Sequence, residues 1–407
     1  MKSSKPSLLG AYGPWIDALA SSPEREFSFL DERWKDVAVW SGKAKEFFAS
    51  RIRAEEIALP LVEVTDSRVH DGLVVEDLLW RLPYGPATRA LFLKPADASG
   101  RLPAVLALHD HGGNKYFGKR KIADAGTSTH PHVENNRKLY YGGRPWVNEL
   151  AKRGYGVLVH DVFPFESRRI LASDIPGFVV ERTMLSPGEV RELTPEMVES
   201  GKMCTDCDVS DAETLAEIDR YNAFAGQYET TVAKSLFCAG LTWPGVALAE
   251  DRVALDYLSS RPDVDPGRIG CGGLSGGGMR TNFLAGSDSR IRCSVTTGFM
   301  TTWADFAMES AYTHTWMIYI PGLPPSMDHP DILAMRAPLP SLVQSSRQDP
   351  LFSQVEVRRA EAVLAATYKK AGAAERFRMT YHEGPHRFDV AMQEEAFAWF
   401  DRWLRSP

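Results

Sequence analysis

The sequence predicts an α/β fold, in which helices cover both faces of a mostly parallel β-sheet. After about residue 100, short uninterrupted apolar runs alternate with helix-like segments, as is typical of strands buried on both faces of such a sheet. The 407 residues are 44% hydrophobic and 25% charged, which is ordinary for a folded globular chain and excludes a mostly disordered one. Three connections between strands are far longer than usual, which favours one large domain with insertions.

The elements follow in order along the chain. Residues 15–57 have helix-like spacing of apolar residues, and we assign residues 1–60 to an N-terminal helical extension. The main α/β domain, which contains the three insertions, is then expected over residues 61–407. It opens with a hairpin signal, Asp71-Gly72, followed by the alternating strand Leu73–Trp80. The buried strands are predicted at 103–109, 155–161, 268–272, 291–297, 340–345 and 376–382.

The three long insertions are predicted at about residues 114–145, 164–235 and 299–337. Insertions of this kind usually lie over the carboxyl ends of the strands, where α/β proteins bind their ligands. We therefore expect them to form a lid over the site. Four of their side chains are candidates for contacting substrate: Tyr141, Arg168, Trp303 and Trp316.

Charge and cysteine content exclude several classes of protein. The formal net charge is −6, so no basic surplus is present to hold a nucleic-acid backbone. The longest uncharged stretch, residues 310–327, contains prolines and predicts no membrane helix; with no leader-like start, we expect a cytoplasmic protein. Cys204 and Cys207 have the spacing of half a zinc site, and His130-Pro131-His132 is a second weak metal signal. We interpret both as loops and expect no metal and no cofactor; Cys271 and Cys293 are expected to be buried.

Gly273-Leu274-Ser275-Gly276-Gly277 carries the predicted chemistry. This Gly-x-Ser-x-Gly segment follows an apolar strand, and a helix can begin at Gly276, which is the setting of a nucleophile elbow. Such a turn strains the serine backbone and raises its hydroxyl above the sheet, and small neighbours avoid clashes within it. The alternative, a phosphate-binding loop, requires Gly-Lys-Ser or Gly-Lys-Thr, which is lacking here. Ser275 is therefore the predicted nucleophile.

A serine nucleophile needs a base and a group that orients the base. In this kind of fold they follow in the order serine, acid, histidine, each after a strand. Asp349 and His386 satisfy that order. Asp305 and Glu309 are the substitutes for the acid, and His382 is the rival base.

An oxyanion hole needs two backbone N–H donors aimed at the developing charge. The amide of Gly276, directly after the nucleophile, is the first candidate. The second should come from the loop after the first parallel strand, which reads His-Asp-His-Gly-Gly at 109–113. We favour the amide of His111, with Gly112 next, and interpret the imidazole of His111 as structural.

Together these residues resemble the α/β-hydrolase superfamily, and within it the group of acetyl xylan esterase-like and dienelactone hydrolase-like proteins. The resemblance is carried by residues 109–113, 251–278, 337–350 and 384–386, and it extends over roughly 85–407. It implies an α/β-hydrolase fold with an eight-stranded, mostly parallel sheet and a cofactor-free Ser-His-Asp esterase. Two positions depart from the pattern. Asp110 stands where glycine is more usual, and the nucleophile is serine where dienelactone hydrolases have cysteine, which argues against that activity.

We therefore expect a serine carboxylic-ester hydrolase that forms an acyl-enzyme on small-acyl esters, with acetyl esters of carbohydrates as one class. The partner is a small-molecule ester, with no nucleic acid and no membrane, and the oligomeric state is left open. An amidase or peptidase of the same fold is the alternative. A hydrolase fold used only for binding is a third reading, against which the complete Ser275, Asp349, His386 order argues.

Overall fold

The computed structural model describes residues 8–21, 25–184 and 214–405, and all statements below concern these residues. The strands are β1 Glu63–His70, β2 Leu73–Trp80, β3 Thr88–Pro95, β4 Leu102–Leu108, β5 Gly156–His160, β6 Val264–Leu274, β7 Ile291–Thr297, β8 Ser341–Ser346 and β9 Phe377–His382. They form one sheet in the order β1-β2-β3-β5-β4-β6-β7-β8-β9. The pairs from β5 to β9 are parallel, whereas β1, β2 and β3 pair antiparallel.

The described part of the sheet has nine strands, which corrects the eight that the resemblance implies. The sheet includes an edge strand, β1, that is exposed along most of its length. The hairpin predicted at Asp71-Gly72 joins it to β2. Both turn residues have positive φ, 51° and 76°, as a type I′ hairpin turn requires.

Helices cover both faces of the sheet, as predicted. They are α1 Gly13–Ala20, α2 Val37–Ile52, α3 Pro131–Tyr140, α4 Trp146–Lys152, α5 Gly177–Met184, α6 Leu215–Cys238, α7 Trp243–Ser260, α8 Gly276–Ser287, α9 His329–Ala334, α10 Gln354–Lys370 and α11 Val390–Phe400. Successive residues of β4 point to opposite faces, so Leu106 joins the hydrophobic cluster that includes α7 and α8, and Val105 joins the one that includes α4 and α11. The sheet is therefore buried on both sides in its centre.

The predicted N-terminal extension contributes α1 and α2. Asp36 caps α2 by accepting hydrogen bonds from two backbone amides of its first turn. Trp40 and Phe48 of this helix are buried in the same hydrophobic cluster as α7 and α8. Upstream of α2, Arg25 forms an ion pair with Asp328 at 3.1 Å, which ties the N-terminal segment to the insertion at 299–337. The domain boundary at residue 60 stays a prediction.

Two of the cysteines lie in the core, and the His130 segment begins a helix. Cys271 and Cys293 are buried, as predicted, whereas Cys204 and Cys207 lie outside the described residues. His130 is the N-cap of α3, where its imidazole accepts a hydrogen bond from the His132 amide. No single helix in the described ranges is long and apolar enough to cross a membrane; α6 and α7 pass that test only as a pair, and they are bent by 83°.

Gly286 sets how closely α8, the helix that follows Ser275, packs on α9. A Cβ at Gly286 would lie 2.1 Å from the carbonyl oxygen of Ile332, so the backbones must separate to admit it. We expect Gly286→Ala to lower the free energy of unfolding by about 1–3 kcal/mol. Gly226→Ala is the matched control, because Gly226 is also helical but has open space around it. It should raise stability by about 0.5–1 kcal/mol. Urea unfolding of both variants measures the difference, and equal effects would contradict the packing argument.

Asp331 makes stability depend on pH. Burial, followed by the neighbouring carboxylate of Asp328, raises the pKa of Asp331 to about 7. A carboxyl group with a raised pKa binds its proton more tightly in the folded state, so its stabilising contribution is complete at low pH and is lost as pH rises through 7. Between pH 5 and 7 the wild type should lose up to about 1.4 kcal/mol per pH unit relative to Asp331→Asn, which does not titrate. Asp265→Asn, at a half-buried carboxylate paired with Arg268, should parallel the wild type over this range. Urea unfolding from pH 5 to 8 tests this, and parallel profiles for wild type and Asp331→Asn would refute it.

Candidate active site

Ser275 stands between β6 and α8, in the strand–turn–helix setting that the sequence predicts. Its backbone has φ 58° and ψ −119°, a region that a residue with a side chain rarely occupies. The turn is held from both sides. The Ser275 amide donates to the carbonyl of Thr297 in the neighbouring strand at 2.8 Å, and its carbonyl accepts from the amide of Met279 at 2.9 Å. These bonds hold the strained conformation against relaxation.

The glycines flanking Ser275 are required by a specific neighbour. A Cβ at Gly273 would lie 2.1 Å from the carbonyl oxygen of Leu108, and one at Gly277 would lie 2.0 Å from the same atom. Leu108 is the last residue of β4. The Gly-x-Ser-x-Gly pattern therefore reflects the contact between the turn and the end of this strand, and no side chain fits at either position.

Asp349 and His386 come together at the same edge of the sheet. His386 Nδ1 lies 2.6 Å from Asp349 Oδ2, and the Asp349 side chain is 2% exposed. The other carboxylate oxygen of Asp349 accepts from the amide of Leu351 at 3.0 Å, so the residue also forms the turn expected before Pro350. With Nδ1 donating to the carboxylate, the lone pair of the imidazole is at Nε2. That atom is buried and has no hydrogen-bond partner among the described residues.

Asp305 and His382, the alternatives to Asp349 and His386, are bonded to other groups. Asp305 is buried and accepts hydrogen bonds from the Thr301 hydroxyl (2.6 Å) and the Ser353 amide (3.0 Å), so its carboxylate is engaged elsewhere. His382 lies 3.0 Å from Glu395 Oε2 and does not line the cleft that contains Ser275. Asp349 is the carboxylate that contacts His386.

Two predicted oxyanion donors, the amides of Gly276 and His111, belong to backbones in close contact. A Cβ at Gly276 would lie 2.9 Å from the backbone nitrogen of His111. Gly276 is the first residue of α8, so its N–H has no acceptor within the helix. Gly112 has φ 55°, and a Cβ there would lie 2.3 Å from Asp110 Oδ2, so this loop conformation depends on glycine.

These residues line one cleft with a volume of about 210 Å³. Its apolar lining includes Met279, Phe299, Ile318, Leu351 and Phe352, and its polar lining includes Ser275, His386, His111, Tyr140, Thr313, His314 and Thr315. The insertion at 299–337 thus supplies much of one wall. The insertion at 114–145 contributes Tyr140.

The four predicted substrate contacts do not line this cleft, and the structure corrects them. Arg168 is 1% exposed and forms an ion pair with Glu250 at 2.7 Å. Tyr141 is fully buried and donates its hydroxyl to Asp110. The Trp303 indole is buried and donates to the carbonyl of Met327 at 3.0 Å.

Trp316 is half-buried against α6. Its indole N–H donates to the hydroxyl of Thr230 at 3.3 Å, and its ring meets Phe237 edge-on. Arg168, Tyr141 and Trp316 join an insertion to the body of the protein or to another insertion, whereas Trp303 bonds within its own insertion. All four therefore have a packing role.

Sequence reasoning also missed three residues at this site: Glu229, Gly298 and His314. Glu229 bonds His111, and the signal for it was a lone carboxylate in the buried stripe of α6 at helical spacing. Gly298 lies against His386, and nothing in the local pattern identifies it. His314 lines the cleft with its Nε2 2.9 Å from the carbonyl of Leu351, and burial lowers its pKa.

Comparison with known proteins identifies the fold. No protein-family model matches the chain. A candidate hydrolase of Bacillus subtilis (strain 168), YtaP, is 25% identical over 335 residues, which cover 81% of this chain and 88% of that protein. A candidate acetyl xylan esterase from Bacteroides fragilis has a similar structure, with a TM-score of 0.62, 15% identity, and coverage of 94% of this chain and 84% of the other. A glucuronoyl esterase from Solibacter usitatus is also similar in structure, with a TM-score of 0.58 and 15% identity. The alignment covers 93% of this chain and 97% of that protein.

The chain has the α/β-hydrolase fold. Within that fold, Ser275 follows β6, Asp349 follows β8 and His386 follows β9. All three positions are at the carboxyl ends of parallel strands, which is why residues more than 100 positions apart meet in one cleft.

Gly298 tests whether the position of His386 matters in this α/β-hydrolase fold. A Cβ at Gly298 would lie 3.0 Å from His386 Cε1, so Gly298→Ala should displace the imidazole. We expect labelling of Ser275 by a fluorophosphonate to slow by about 10- to 100-fold, since small misplacements of a reacting group have effects of that size. The control is Gly322→Ala, which also places alanine at positive φ but has only ordinary contacts with Arg51. Equal labelling rates for the two variants would contradict the argument.

Proposed function

We propose that this protein is a serine carboxylic-ester hydrolase that acts on small-acyl esters through an acyl-enzyme. The observation that carries the proposal is the meeting of the strained Ser275 turn, the Asp349–His386 pair and the His111 and Gly276 backbones in one cleft. Structural neighbours that are esterases support the reaction class.

The first half of the proposed reaction acylates the serine. His386 Nε2 removes the proton of the Ser275 hydroxyl while Oγ attacks the acyl carbon of the ester. The negative charge that develops on the carbonyl oxygen is stabilised by the amides of His111 and Gly276. Asp349 keeps the proton of the imidazole on Nδ1 and stabilises the imidazolium. Collapse of the tetrahedral intermediate breaks the bond to the alcohol, which leaves with the proton from Nε2.

The second half returns the enzyme to its starting state. Water loses a proton to His386 Nε2 and attacks the acyl carbon attached to Ser275 Oγ. The same two amides stabilise the second tetrahedral intermediate. Its collapse breaks the bond to Oγ, which regains the proton from the imidazole, and the carboxylic acid is released.

The cleft favours a small, uncharged acyl group. Its volume of about 210 Å³ is below the roughly 300–1,000 Å³ of sites that take drug-sized ligands. The carboxylate of Asp110 is held by the Tyr141 hydroxyl and by Lys121, so it does not offer a free charge to the substrate. Acetyl esters, those of carbohydrates among them, fit these constraints.

Hydrolysis of p-nitrophenyl esters from C2 to C12 tests the proposal. We expect the highest kcat/KM at C2–C4, a fall with longer chains, and a loss of at least about 10³-fold in Ser275→Ala. Asp349→Asn should keep the fold but lose about 10⁴-fold, because it leaves the imidazole in the wrong tautomer.

Matched p-nitroanilide substrates and a fluorophosphonate label give the contradicting outcomes. Faster hydrolysis of the anilide than of the ester would replace the proposal with an amidase. Hydrolysis that is unchanged in Ser275→Ala, or a protein that neither labels nor hydrolyses any ester, would overturn the serine mechanism.

A further inference from the structure

Glu229 is a buried carboxylate at which four segments around the cleft meet. It lies in α6 and is 7% exposed. One oxygen, Oε1, is 2.7 Å from His111 Nε2 and 2.5 Å from Lys115 Nζ. The other oxygen accepts a hydrogen bond from the Trp316 amide at 3.3 Å. The oxyanion loop, the start of the 114–145 insertion and the 299–337 insertion are therefore all attached to one side chain of α6.

We propose that Glu229 is a positioning residue. Through the His111 side chain, it holds the His111 amide where that amide can donate to the oxyanion. It also connects His111 to the wall of the cleft that the 299–337 insertion forms. This inference rests on the proposed ester hydrolysis and names a determinant of it outside the residues that react.

The His111 side chain transmits the position of Glu229 to the backbone because both ring nitrogens are bonded. Nδ1 accepts a hydrogen bond from the Gly113 amide at 3.1 Å, so the ring proton is on Nε2 and is donated to Glu229. The carbonyl of His111 accepts from Lys121 Nζ at 3.3 Å. A ring fixed at both ends, on a residue whose carbonyl is also bonded, leaves the His111 amide little freedom to turn away from Gly276.

The charges around Glu229 keep this arrangement in one state. Burial, followed by the Lys115 ammonium, lowers the pKa of His111, so the imidazole stays neutral. Burial raises the pKa of Glu229, but the contacts with His111 and Lys115 outweigh burial and hold this pKa well below its usual range. Glu229 therefore stays an anion, its charge is balanced by Lys115, and the direction of the hydrogen bond from His111 does not change.

The same carboxylate reaches the opposite side of the cleft through Trp316. The residues next to it, Thr313, His314, Thr315 and Ile318, line the cleft. The carboxylate that bonds His111 is therefore also the acceptor for the backbone of this wall. The buried Lys115 ammonium requires a counter-charge, which Glu229 supplies. The bonds to His111 and Trp316 are additional to that ion pair, and the inference rests on them.

The experiment measures acylation of Ser275 by p-nitrophenyl acetate in single turnovers for Glu229→Ala and Glu229→Gln. We expect Glu229→Ala to lower the acylation rate constant by about 10- to 100-fold, less than removal of an oxyanion donor, with KM changed by less than about threefold. Glu229→Gln should recover part of the rate, since its amide oxygen can still accept from His111, whereas its NH2 group replaces the oxygen that accepts from the Trp316 amide. It should remain less stable than wild type because the Lys115 charge is unbalanced.

Glu250→Gln is the matched control for loss of stability. Glu250 is also a buried carboxylate in an ion pair, with Arg168 at 2.7 Å, and it does not line the cleft. We expect this variant to unfold more easily than wild type and to acylate at the wild-type rate. If it slows acylation as much as Glu229→Ala does, Glu229 has only a structural role and the inference is overturned.

A double-mutant cycle with His111→Ala tests whether the effect of Glu229 on acylation depends on the His111 imidazole. If Glu229 acts through the imidazole, adding Glu229→Ala to His111→Ala should slow acylation by less than about twofold. Fully additive losses, or a folded Glu229→Ala that acylates like wild type, would overturn the inference and leave the proposed hydrolysis intact. A wild-type protein that is not acylated by the ester or by a fluorophosphonate would overturn both.

Discussion

The contact between the Ser275 turn and the end of β4 is the constraint on which the rest of the site depends. The carbonyl of Leu108 lies where a side chain at Gly273 or Gly277 would have to be, so the two backbones pack directly on each other. This contact places the strained serine above the sheet edge. It also brings Gly276 against the backbone of His111, so that one contact positions both the proposed nucleophile and the proposed oxyanion donors.

Rigidity of the loops around that contact comes from buried ion pairs and hydrogen bonds. Lys121 is fully buried, and its ammonium lies 3.2 Å from Asp110 Oδ2 and also bonds the Asp110 carbonyl. The Arg280 guanidinium of α8 donates hydrogen bonds to Asp251 at 3.1 Å and to the carbonyl of His109 at 3.3 Å, next to the same loop. Breaking such a pair leaves an unbalanced buried charge, which typically costs 3–5 kcal/mol. These bonds therefore hold the loop that contains His111 in one position, although each pair contributes little net stability by itself.

The sequence could predict those parts of the candidate site that depend on a short motif or on the order of the strands. Ser275 was found because a glycine-rich turn follows a strand and precedes a helix. Asp349 and His386 follow from the order of strands in a parallel sheet. Substrate contacts could not be found in this way, because a large aromatic or an arginine in an insertion serves packing as readily as binding. Arg168 and Trp303 are such cases, since their polar atoms bond to groups within the protein. The count of eight strands came from the resemblance, whereas the hairpin signal at Asp71-Gly72 already requires a strand on each side of the turn, one of which is β1.

The insertions and the sheet have different tasks, and this division explains why neighbours with such low sequence identity share the fold. The carboxyl edge of the sheet positions Ser275, Asp349 and His386, and many sequences can form such a sheet. The insertion at 299–337 supplies much of the wall of the cleft, so the shape of that wall can change without disturbing Ser275. The bond network at Glu229 joins the two tasks, since the carboxylate that supports the oxyanion loop also holds the wall.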